Sequence, residues 1–138
     1  MNIRPYTPAD REAVIALWQA CGLTRPWNDP GSDIAFCTSR PESTILVGER
    51  DGRILASVMT GHDGHRGWLY YLAVDPAQQK SGLGRAMVAA AEDWLKARGV
   101  PKVMLMVRPE NSENVRAFYD ALGYTEEPRV IFSRRLDG

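Results

Sequence analysis

The chain has 138 residues, 17 Lys plus Arg against 17 Asp plus Glu, and a 44% apolar share. That length suits one domain, able to bury about two-thirds of the surface its unfolded chain exposes without a metal or disulfide staple. A formal net charge of +0 and a pI near 6.7 exclude a global positive field that would draw the chain to nucleic acid or an anionic membrane, so any anion site must be local.

In chain order, a short strand is expected near Ile3. Thr7, Pro8 and Asp10 then form a helix start, with Val14, Ile15, Trp18 and Cys21 on one apolar face and Gly22 as the stop. "RPWNDPG" is a loop, and a short helix over about Ser32 to Ser39 carries Ile34 and Cys37. "TILVGERDGRILASVMTG" predicts a hairpin turning at Asp51-Gly52. "GWLYYLAVDP" is apolar on both faces, as a central strand should be, and Pro76 and "AQQKS" stop it.

From Leu83 the apolar positions Met87, Val88, Ala91, Trp94 and Leu95 recur at helical spacing, closed by Gly99 and Pro101. "KVMLMV" is a strand, "ENVRAFYDALGY" a helix closed by Gly123, and "RVIFSRRL" a last strand. The order implies an α/β fold with a mixed sheet, antiparallel in its N-terminal part, and helices on both faces. Residues 1–138 form a single domain in this reading, with no repeat or linker dividing them.

Cys21 and Cys37 lack metal-type spacing and read as buried thiols. No apolar run approaches the roughly 18 residues of a membrane span, and "MNIRPYTPADR" has no apolar signal core. The expectation is a cytoplasmic protein without membrane or nucleic-acid partners.

"QQKSGLGRAM" places two glycines at the doorway of the most regular helix, although glycine costs about 1 kcal/mol against alanine inside one. A helix start leaves four amides without intrahelical partners and carries partial positive charge. Gly82 and Gly84 therefore suit close approach of an anion, with Lys80 and Arg85 adding charge, or they simply let the loop turn and the helix pack. Walker A is excluded because Arg85-Ala86 follows Gly84. The dinucleotide fingerprint is excluded by Met87 and by the upstream hairpin.

"VDPAQQKSGLGRAM" resembles the [QR]-x-x-G-x-[GA] acetyl-CoA motif of the GNAT N-acetyltransferase superfamily, and "ENSENVRAFYDALGY" resembles its later asparagine-plus-tyrosine helix. The two motifs stand in the family's order on the expected elements, and "PWND" with "DGHRG" is similar to a YpeA-like bacterial branch. The resemblance implies a GNAT-like fold with a splayed sheet centre and acetyl-CoA as co-substrate. It implies that the amides of Gln79, Lys80, Ser81, Gly82, Leu83, Gly84 and Arg85 hold the diphosphate, and that the pantetheine arm pairs with Leu72, Ala73 and Val74. It further implies that Asn111 or Asn114 touches pantetheine, that Phe118 lies in the cofactor site, and that Tyr119 is the general acid.

Acetyl transfer to an amine needs a polarised thioester carbonyl and a protonated leaving thiol. Amides near Leu72 and Val74 suit the first task and Tyr119 the second. On its apolar stripe alone, Tyr119 also reads as a core residue. In "GHDGHRGW", Asp63, His65 and Arg66 are either a solvated turn or acceptor contacts, with Asp63 or His65 as base; His62 and His65 do not make a metal site. Trp27, Asn28 and Asp29 are either an acceptor wall or an indole packed on the sheet edge beside a capping aspartate. The leading reading is N-acetyl transfer to a small primary amine, against a RimI-like protein N-terminal acetyltransferase or a CoA-binding regulatory module without turnover. Exposed strand edges leave room for a homodimer.

Overall fold

The computed structural model describes residues 1–138, the side chain of Ser112 excepted. Two compact units divide the chain, residues 1–105 and residues 106–138. The first unit contains β1 (Asn2–Pro5), α1 (Arg11–Ala20), α2 (Pro30–Thr38), β2 (Ser43–Arg50), β3 (Arg53–His62), β4 (Gly67–Val74), α3 (Leu83–Lys96) and β5 (Val103–Met104), and the second contains α4 (Ser112–Ala121).

The hairpin forms as its turn chemistry requires. Asp51 and Gly52 both take positive φ, 52° and 75°, the conformation that matches the twist of the strands on either side. β1 to β4 follow one another antiparallel, and β5 adds to β4 in parallel, giving a mixed five-stranded sheet in sequence order.

Period-two alternation directs Ile45 and Val47 to one face, where they join Val14, Leu17, Trp18, Ile34 and Cys37 of α1 and α2. Leu46 between them is buried on the opposite face, the side on which α3 packs against β2, β3 and β4 with Leu83, Met87, Val88, Ala91 and Leu95 buried. The helices thus cover both faces of an α/β sheet, as the sequence implies.

"RVIFSRRL" departs from expectation. Residues 125–138 contain no strand, and Val130, Ile131, Phe132 and Leu136 are exposed. A strand needs a neighbour to take its backbone hydrogen bonds, and the 106–138 unit has no other strand to offer. "KVMLMV" is likewise shortened to Val103–Met104.

Candidate active site

β4 has an irregular edge that local propensity does not reveal. Its pairing with β5 is limited to Gly67 with Val103 and Trp68 with Met104, so the two strands part early and Leu69–Val74 face no strand on that side of the 1–105 unit. This is the splayed centre that the resemblance implied. Against β3, Ser57 pairs with Ala73 and Met59 with Tyr70, which leaves Val58 opposite both Tyr71 and Leu72 in a β-bulge.

The bulge reverses the phase of the strand. Gly67 donates its N–H to the Lys102 carbonyl at 2.8 Å, on the β5 side, whereas Asp75 donates to the Leu55 carbonyl at 2.8 Å, on the β3 side. Positions an even number of steps apart in an unbroken strand point their amides the same way. The residues beyond the bulge, Ala73 and Val74, are therefore turned half a period from where a regular ladder would put them. The Val74 carbonyl accepts the Cys21 thiol at 3.2 Å and Gln79 Nε2 at 3.4 Å.

At the end of β4, Asp75 accepts the Ala77 N–H at 2.9 Å and Pro76–Gln78 form one turn of 3-10 helix. The Ser81 hydroxyl donates to the Gln78 carbonyl, and Lys80 adopts φ 64°. Gly82 is the N-cap of α3, in the left-handed region at φ 85°, and no side chain caps the helix. A Cβ at Gly82 would meet nothing within 4 Å. The Leu83 side chain is buried and anchors the helix start, while Gln79, Lys80, Ser81, Gly82 and Arg85 are exposed. Uncapped amides, partial positive charge and two basic side chains thus converge on open space at the end of a strand with a free edge.

The acceptor candidates lie in two places. Trp27, 59% exposed, and Asn28 stand in the loop between α1 and α2, and Asp29 caps α2, accepting the Ser32 N–H at 3.1 Å and hydroxyl at 2.6 Å. Asp63, His65 and Arg66 form the turn between β3 and β4. There the Asp63 carboxylate accepts the N–H groups of Arg66 at 2.7 Å and His65 at 2.9 Å and the Trp68 indole at 3.3 Å. Those donors, Arg66 first, hold it down at about 2. The turn sits at the paired end of β4, about 20 Å along the strand from Leu72 at ~3.3 Å per residue.

In the 106–138 unit, Asn111 is the N-cap of α4 without a side-chain cap bond, and Asn114 is exposed on its first turn. Phe118 and Tyr119 meet edge to face at 4.9 Å, and Tyr124 packs on Tyr119 at 5.3 Å. Burial pushes the Tyr119 phenol up to about 12, so it is a proton donor throughout the neutral range.

Sequence reasoning missed the contacts that hold the bulge. Tyr71 takes φ 50°, stacks on Trp18 with ring centroids 3.7 Å apart, and donates its hydroxyl to Asp33 Oδ2 at 2.6 Å. The buried Ser57 hydroxyl accepts Trp18 Nε1 at 2.9 Å and donates to the Tyr71 carbonyl at 3.0 Å. A serine inside the apolar run "ILASVM" was the available signal, because a buried hydroxyl must find partners.

The pattern of the Acetyltransferase (GNAT) family matches residues 11–124. An acetyltransferase of Pectobacterium atrosepticum is 43% identical over 99% of this chain and 96% of its own length. One of Yersinia enterocolitica is 42% identical over the same shares. Among solved structures, aminoglycoside N-acetyltransferase AAC(6')-Iy in complex with CoA superposes with a TM-score of 0.83 at 20% identity, covering 98% of this chain and 94% of that one. Glucosamine-6-phosphate N-acetyltransferase from Arabidopsis thaliana gives 0.76 at 23% identity, covering 99% and 98%. No helix among the described residues is long and apolar enough to cross a membrane. The phase-reversed strand with its open edge, the bare helix start beyond it and the two full-length bacterial relatives agree, and the chain belongs to the GNAT family of acetyltransferases.

Proposed function

We propose that residues 1–138 act as one catalytic domain that transfers the acetyl group of acetyl-CoA to a primary amine of a small molecule by direct attack. The observation that carries this reading is the uncapped start of α3 at Gly82, directly after a strand whose outer edge is open from Leu69 to Val74. The amides of Gln79 to Arg85 take the diphosphate, Lys80 and Arg85 add charge, and the β4 edge at Leu72, Ala73 and Val74 takes the pantetheine arm as a false strand. Asn111 or Asn114 and Phe118 complete the cofactor contacts.

Main-chain N–H groups near Leu72 and Val74 polarise the thioester carbonyl. Each donor aimed at the developing oxyanion contributes about 2.7 to 4 kcal/mol. The neutral amine attacks the carbonyl carbon, the C–S bond breaks as the tetrahedral intermediate collapses, Tyr119 gives its phenolic proton to the departing sulfur, and the proton lost by the acceptor nitrogen passes through solvent to restore the phenol. Trp27, Asn28 and Asp29 form the acceptor side in this reading, because α2, which that loop enters, is tied to the bulge through Asp33 and Tyr71. Asp63, held at about 2 by its own turn, is a weak base, and the turn of Asp63, His65 and Arg66 stands about 20 Å along β4 from Leu72, out of reach of the reacting amine. The even charge balance and the use of acetyl-CoA favour a cytoplasmic enzyme with small partners.

Calorimetry with acetyl-CoA, followed by release of free thiol with a panel of small amines and of peptides, tests the proposal. Binding with turnover on small amines is expected. Turnover on peptides alone would move the acceptor to protein N-termini, binding without turnover would make the chain a CoA-responsive module, and no binding would end the reading.

A further inference from the structure

Tyrosine is a costly choice for the left-handed position of a bulge. At φ 50° its Cβ crowds the following carbonyl, a penalty that glycine would avoid. Such a conformation persists only where its surroundings over-determine it. At Tyr71 they do so from both ends of the residue. The ring lies flat on Trp18, with an interplanar angle of 6°, and the hydroxyl reaches Asp33 on α2. The carbonyl, displaced from the ladder by the bulge, is met by the Ser57 hydroxyl, which is itself oriented by the Trp18 indole. Trp18, Ser57 and Tyr71 form a closed circuit, and Asp33 ties α2 to it.

The circuit holds the one residue at which β4 reverses phase. Whatever turns Tyr71 turns the main chain of Leu72 and Val74 on the open edge. We propose that Tyr71, clamped by Asp33 and by the Trp18–Ser57 pair, is the positioning residue that fixes the aim of the β4 edge toward the pantetheine arm and its thioester; this rests on the acetyl-CoA reading above. Tyr71 touches no reacting atom in this scheme. A glycine would adopt the bulge more easily but would leave it free to re-aim. The phenol-to-carboxylate bond also makes the direction of that edge depend on where α2 sits, so the acceptor-side helix and the thioester cradle share one fastening.

The test uses calorimetry on the full chain with two probes, CoA and adenosine 3′,5′-bisphosphate, which lacks the pantetheine arm. Tyr71→Phe removes the hydroxyl and keeps the stacked ring; Asp33→Ala removes the acceptor from the other side; Asp33→Asn keeps an acceptor oxygen. Thermal melts establish that each variant is folded. Loss of properly aimed hydrogen bonds to the arm should weaken CoA about five- to tenfold in Tyr71→Phe and Asp33→Ala, with bisphosphate affinity unchanged and Asp33→Asn close to wild type. Equal weakening of both probes, unchanged affinity for both, or failure of Asp33→Asn to rescue would overturn the positioning role while the acetyl-CoA reading stands. A wild-type chain that binds neither probe would overturn that reading and this inference with it.

Discussion

Arg4 closes a two-pronged grip on Asp10, with Nη1 2.8 Å from Oδ2 and Nη2 2.9 Å from Oδ1. The same guanidinium also reaches Glu49 on β2, and Asp10 Oδ2 accepts the Thr7 N–H at 2.8 Å, so one buried carboxylate joins β1, the start of α1 and the second strand. The Arg4 hydrogen bonds, chiefly, lower its pKa to about 2. Folding depresses this pKa below its unfolded value near 3.9, so the stabilisation, about 2 kcal/mol, is complete above pH ~5 and is lost as pH falls toward 2. Urea melts of wild type and Asp10→Asn at pH 6 and pH 2.5 should show a large gap at the higher pH that narrows to less than half at the lower. A pH-independent gap would assign the cost of the substitution to packing.

The loop before α3 separates backbone strain from ligand contact. Gly82 has open space where a Cβ would stand, so Gly82→Ala should lose only about 1 kcal/mol of stability, from its φ of 85°. If phosphate oxygens occupy that space, CoA affinity falls by more than tenfold in the same variant. Lys80→Gly relieves the other left-handed residue and should gain about 0.5 kcal/mol in stability while weakening CoA through loss of charge. Melting and calorimetry on both variants read the two effects independently.

Tyr119→Phe should leave the melting temperature within a few degrees and CoA affinity unchanged, and reduce turnover about 100-fold. Since burial places the phenol at about 12, the wild-type pH–rate profile should rise as the acceptor amine deprotonates and show no falling limb below about pH 11. An alkaline fall centred near 9, or full turnover in the phenylalanine variant, would remove Tyr119 from proton transfer.

At the closed end of the splay, Gly67 is buried against α3 and the chain that follows it. An added Cβ would stand 2.8 Å from Leu95 Cδ1 and 3.1 Å from Val100 Cγ1. Gly67→Ala should therefore cost about 1–3 kcal/mol by overpacking, measured by urea denaturation, with the bulge and the α3 start unaltered. A neutral result would show that Leu95 and Val100 yield easily.

What could be read in advance was what neighbours in sequence decide. Asp51-Gly52 makes its turn, Asp29 caps its helix, and Leu83 through Leu95 bury one stripe, because each depends on residues a few positions apart. The bulge was hidden because its causes are distant: Tyr71 depends on Asp33 and Ser57, and Ser57 on Trp18, residues drawn from four elements. "RVIFSRRL" has strand-like composition, but no partner strand exists within its own unit, and composition carries no information about partners. The glycines before α3 were legible as a motif; the open edge they serve became visible only with the register of β4 on β5.

One surplus residue at Tyr71–Leu72 sets two properties of β4 against each other. Excising either one would let the strand pair without interruption and return Ala73 and Val74 to the parity of an unbroken ladder. Such a shortened chain would have a better-knit sheet and a misdirected rim, so natural selection for durability alone would erase the irregularity. Its presence makes this short stretch intolerant of insertions and deletions, because either would change the parity of every residue beyond it.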